Sequence, residues 1–208
     1  MPTNFPTSVD NFTNPTANDS LNLPSHSTQH ANANDAIEAV ESYLLNGGGK
    51  NGLVHINTTT FTAMSNQTVT NLFSSAYDNY RVVIVGQGSV GQDLFLRLAT
   101  GTTVESTASS YHYQSLKCNG ATISGASTTS QSRWEVTAYD TVTTGMQFEV
   151  YNPNLVAPTA FYATGGRYDQ LWTFTGKQTS AAAYDGLNFF TGSGTFTGIA
   201  RVYGYRNS

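Results

Sequence analysis

Several things are scarce in this chain, and each scarcity closes a route. Of its 208 residues, one is cysteine, Cys118, so no intramolecular disulfide can form and a cysteine-based zinc site has no support. Charged residues make up only 11 %, against about 25 % in an average globular domain. Cations are missing altogether from residues 1–49, which hold five acids, Asp10, Asp19, Asp35, Glu38 and Glu41. The remaining stretch carries nine basic and eight acidic residues in no visible cluster. Nucleic-acid binding needs grouped Lys or Arg, so it is not expected. No apolar run approaches the ~20 residues a membrane helix requires, and the first 20 residues lack the basic start and apolar stretch of a secretory signal. What fills the gap is Thr, Ser, Asn and Gly, with 12 Tyr and 11 Phe, a composition that fits a β protein with a surface of hydroxyls and amides.

Residues 1–26 read as an extended arm. Pro2, Pro6, Pro15 and Pro24 each lack an N–H and push the preceding residue out of the helical region. Phe5, Val9, Phe12, Leu21 and Leu23 are isolated among polar residues, too sparse to close a core. They fit single pockets on a partner; the alternative is a disordered tail. Residues 27–46 predict a short helix, with Ser27, Thr28, Asn32 or Asn34 as its cap and Asn46 and Gly47 as its stop. Ala33, Ile37, Val40 and Leu44 line one face. So short a helix is marginal alone, so the stripe either folds back on the chain or pairs between copies. Self-association, as a trimer, is the reading favoured here, although two heptads do not fix the strand number. Residues 47–52 form a glycine-rich joint.

From residue 53 to 208, period-two segments alternate with turn residues. Strands are expected at 53–57, 80–86, 92–99, 110–116, 132–139, 146–152, 159–165, 168–176, 187–191 and 195–206. About ten strands with almost no helix predict a mainly β fold, an antiparallel β-sandwich of jelly-roll type.

One segment imitates a dinucleotide-binding fingerprint. Gly86, Gly88 and Gly91 fit G-x-G-x-x-G after a hydrophobic strand, and Glu105 follows 19 residues after Gly86. The chemistry needs a helix after Gly91, its free N–H groups facing the pyrophosphate. Leu94, Leu96 and Leu98 instead alternate with Phe95, Arg97 and Ala99, the pattern of a strand. No further βαβ units follow, so GQGSVGQ is read as a hairpin turn between antiparallel strands, and no cofactor is expected.

Other chemistry is thin. His26 and His30 lie four apart and share a helical face, but no acid or cysteine completes a metal site in one chain, so capping and surface roles are the plainer reading. His55 and His112 read as core-edge histidines. No nucleophile elbow is present, and the eight carboxylates beyond residue 52 show no pair set apart by spacing, so no enzymatic activity is expected. Tyr111, Tyr113, Trp134, Tyr162, Tyr168, Trp172 and Tyr184 are candidates for stacking on sugar rings, the alternative being core or inter-subunit packing.

Residues 5–45, with PTSVDNFTNPT and HSTQHANANDAIEAVE at their heart, resemble an N-terminal segment shared by tailed-bacteriophage virion proteins: tail fibres, minor tail proteins and head fibres. LFSSAYDNYRVVI (72–84) and TFTGIARVYGYRN (195–207) resemble a β domain on similar proteins, and together these stretches cover about a third of the chain. The resemblance implies an arm and helix that anchor the chain to other virion proteins of tail or capsid. It also implies a β domain that projects toward host surface or neighbouring subunits. No triplet-repeat shaft separates the two parts, which favours a short appendage and keeps a capsid-attached head fibre or decoration protein open.

Overall fold

A computed structural model describes Ser8 and residues 25–45, 52–167 and 169–206, and the chain divides into two units, Met1–Asn51 and Gly52–Ser208. The expected arm anchors Phe5, Val9, Phe12, Leu21 and Leu23, most of the joint, and Tyr168 lie outside the described residues.

The helix, α1, spans His26–Leu45. Its cap is Ser25, just upstream of the expected Ser27: the Thr28 N–H donates to Ser25 Oγ at 3.3 Å, and the Gln29 N–H to the Ser25 carbonyl at 3.1 Å. None of the helix's residues is buried: Ile37 is 56 %, Val40 40 % and Leu44 55 % exposed. No helix among the described residues is long and apolar enough to cross a membrane.

The second unit is an antiparallel β-sandwich. In chain order its strands are β1 (Leu53–Met64), β2 (Asn66–Val69), β3 (Asn79–Gly88), β4 (Gln92–Thr100), β5 (Thr103–Val104), β6 (Tyr111–Asn119) and β7 (Thr122–Gln131). Then follow β8 (Trp134–Tyr139), β9 (Thr144–Tyr151), β10 (Ala157–Arg167), β11 (Gln170–Ala182), β12 (Gly186–Thr191) and β13 (Phe196–Tyr205). One sheet runs β1-β13-β3-β9-β10-β11-β6-β7; the other runs β2-β12-β4-β5, with β8 also paired to β4.

That order contains a jelly roll. The first sheet begins β1-β13-β3-β9, and the second reads β2-β12-β4-β8. Successive members of this set switch sheets, except β4 and β8, which pair with each other; the result is two Greek keys. The connections β4 to β8 and β9 to β12 are long, and they carry β6, β7, β10 and β11. Those four strands extend the first sheet beyond β9, and they are called the extension below.

All ten expected strands are present, and three more accompany them. The turn at GQGSVGQ is corrected: β3 pairs with β13 and β9, whereas β4 pairs with β12, β5 and β8. It is a sheet-to-sheet arch, not a hairpin. Its glycines are packing positions, since a Cβ on Gly86 would lie 2.4 Å from the Phe196 ring and one on Gly88 2.1 Å from the Tyr139 ring. After Gly91 comes strand β4, with Leu94, Leu96 and Leu98 fully buried.

Alternation builds the core: Tyr80, Val82 and Ile84 of β3 point inward beside Met146, Phe148 and Val150 of β9. Phe61 meets Phe189 at 5.1 Å and Phe196 at 5.9 Å between ring centroids, closing the jelly roll near its β1 edge. At the other end Trp134 of β8 stacks on Phe161 of β10 at 4.6 Å and meets Tyr111 of β6 edge-on at 5.2 Å. This ring fastens the extension to the body.

Candidate functional site

The exposed face of the eight-stranded sheet is where polar chemistry gathers. Directly paired residues on neighbouring strands share a face. Following the register gives one unbroken row across all eight strands: His55, Tyr203, Arg81, Glu149, Tyr162, Thr175, Gln114 and Ser127. Every member carries a polar group, and none of them is fully buried.

The body half of this row is tied together. Arg81 Nε donates to Glu149 Oε1 at 2.6 Å, and the Tyr205 hydroxyl donates to the same oxygen at 2.8 Å. The hydrogen bond to Glu149 raises the Arg81 pKa. Burial, together with the Glu149 carboxylate, pushes Tyr205 up to about 12. Glu149 Oε2 is buried and has no partner among the described residues. The His55 ring meets Tyr203 edge-on at 5.5 Å, and its Nε2 lies 2.8 Å from Thr58 Oγ1.

On the extension half the row runs through a depression of about 560 Å³, lined by His112, Gln114, Ser127, Thr128, Thr129, Ala160, Thr175 and Lys177 among others. Tyr162 stands beside it, 40 % exposed and paired with Thr175. Period two makes this arrangement: in β6, Tyr111, Tyr113 and Ser115 turn inward while His112, Gln114 and Leu116 turn outward. A smaller depression of about 320 Å³, lined in part by Val83, Gln147, Thr164 and Leu171, lies on the same sheet. Amides, hydroxyls, an imidazole and an ammonium next to a phenol ring can bind vicinal hydroxyls and stack on an apolar ring face.

Most of the aromatics expected to stack on sugars lie elsewhere. Tyr111 and Trp134 are fully buried, and Tyr184 and Trp172 are 3 % and 8 % exposed. The Tyr111 hydroxyl accepts from the Leu98 N–H and donates to the Glu105 carbonyl, both at 2.9 Å, so it bridges the sheets; burial raises its pKa. Trp172 has the Lys117 ammonium 3.6 Å from its ring centroid. Lys117 and the Tyr113 hydroxyl donate to the two Glu135 oxygens at 3.1 Å each, which knits β6 to β8. Burial and Glu135 raise Tyr113 to about 12, and burial raises Tyr184 to about 12. Of the seven, Tyr162 alone among the described residues is exposed.

His112, Gln114, Thr175 and Lys177 were not singled out for binding from the sequence, and His112 lines a depression where a core-edge role was expected. The signal was available in the alternation of β6 and β11, whose outward positions are mostly polar.

No family model matches this chain, and no curated protein does. Among solved structures, the Caenorhabditis elegans galectin LEC-6 is similar to it at 12 % identity, over 70 % of this chain and 95 % of that one, with a TM-score of 0.35. A likeness that slight carries neither fold nor function.

Proposed function

We propose that this chain is a structural protein of a tailed-bacteriophage particle. In this reading it is a short tail fibre or receptor-binding appendage, anchored through its N-terminal arm and displaying its β domain for attachment to host-surface glycan. The observation that carries the attachment half is the polar and aromatic row beside the 560 Å³ depression. Its volume falls in the ordinary range for small-ligand sites, about 300–1,000 Å³. Its lining is the kind that hydroxyl-rich ligands require.

The anchoring half is supported by the resemblance of residues 5–45 and by the helix. A 20-residue helix with no buried residue, and with Ile37, Val40 and Leu44 open, gains stability once copies pair along that stripe. The assembly in this reading is a homotrimer in the virion, put together in the host cytoplasm, with tail or capsid proteins as its other partners. The missing shaft favours one alternative, a capsid-attached head fibre or decoration protein with a structural role.

Two measurements test the proposal. Purified full-length chain, added ahead of phage, is expected to block adsorption to host cells and to bind isolated host-surface polysaccharide. Absence of both effects removes the attachment reading. Gold-labelled antibody against the chain is expected to mark the tail tip; label on the head instead establishes the alternative, and no label on the particle ends both.

A further inference from the structure

The histidine pair at the start of α1 is used by nothing above. His26 Nε2 and His30 Nε2 lie 3.0 Å apart, with ring centroids at 4.4 Å and planes at 89°. Both side chains are exposed, so an ion and its remaining water ligands have room to enter. Two nitrogens that each sit about 2.0–2.1 Å from one ion stand about 2.9 Å apart at a right angle and about 3.4 Å apart at the tetrahedral angle. The observed separation falls in that window without any change of helical geometry, because residues four apart share a face.

We propose that His26 and His30 chelate one divalent transition-metal ion of the imidazole-preferring class: zinc, nickel or copper. With the metal bound, both Nε2 lone pairs point at the ion and each proton sits on Nδ1. Without it, one ring donates its Nε2–H to the other, and the pair is only hydrogen bonded. The first turn of α1 holds no acid, so the affinity rests on the two imidazole nitrogens themselves, against the helix dipole at this end. Among the described residues no group of three or more His, Cys, Asp or Glu is placed to hold a metal, so water completes the shell. Because α1 has no buried residue, an ion bridging its first two turns tightens the whole helix. The proposal does not depend on the attachment reading of the β domain.

The test uses the untagged full-length chain. Isothermal titration with zinc chloride, repeated with nickel chloride, is expected to show one ion per chain. Far-UV circular dichroism is expected to gain helical signal on metal addition and to lose it with chelator. His30→Gln and His26→Gln, which keep the helix-forming character, are expected to abolish both responses. No binding by the native chain overturns the proposal, as does binding that survives both α1 substitutions. A native chain that binds without any helical gain also contradicts it.

Discussion

The jelly-roll body and the four-strand extension of its first sheet are built from the same period-two rule and end with opposite surfaces. In the body, strands such as β4 bury Leu94, Leu96 and Leu98 on one side and hold Phe95 under the Arg133 guanidinium, 4.1 Å away, on the other. In the extension, β7 is exposed at nearly every position, and Leu116, Ile123 and Leu171 stand 52 %, 68 % and 55 % open on the outward face. Burial in the body goes into stability. The extension leaves apolar and polar groups free for contact, and contiguous open groups of this kind mark interaction surfaces. The extension is attached to the body by the β9–β10 ladder and, from the second sheet, by Trp134, the Tyr111 hydroxyl and the Lys117–Glu135–Tyr113 cluster.

That contrast can be broken hardest at its hinge. Trp134→Ala removes the ring that joins β8 to β10 and β6, and is expected to cost about 3–5 kcal/mol, read as a lowered urea midpoint. Gly88→Ala drives a methyl into the Tyr139 ring inside the body, and should cost about 1–3 kcal/mol by the same readout. Alkaline pH sharpens the comparison. Tyr113, Tyr184 and Tyr205 are each raised to about 12 from 10.0. Their folded state therefore holds protons that the unfolded state releases, and stability present below pH 10 is lost as pH rises toward 12. Ultraviolet titration of tyrosinate should show a late-ionising set, with unfolding setting in over the same interval. Smallest in stability is Ile123→Ser on the extension's open face, expected within about 0.5 kcal/mol of the native chain in thermal melts.

Where the sequence was readable and where it was not follows from the same contrast. Strands such as 80–86 and 146–152 announce themselves because one face is dry. TISGASTTSQ, which forms β7, does not, because both its faces are wet and its residues are small and polar. NQTV and the two-residue β5 are too short to show a period. The arch at GQGSVGQ reads locally as a hairpin, and only the pairing of β3 with β13 and of β4 with β12 sends its two arms to different sheets. Sorting the aromatics failed for a related reason. Trp134 and Tyr111 have polar neighbours in sequence, and their burial comes from other strands, 13 or more residues away. The helix was legible in type and extent; its cap at Ser25 fell to a residue that the spacing of apolar side chains does not mark.

The extension's open face as the recognition surface is tested most directly by titrating host-surface polysaccharide into the full-length chain and into Tyr162→Ala. Tyr162 pairs with Thr175 of the depression's lining and is 40 % exposed, so its removal leaves the core intact. The account predicts saturable binding by the native chain and an affinity at least about tenfold weaker in the variant, roughly 1.4 kcal/mol, with unchanged melting. Equal affinity in the two chains would contradict it.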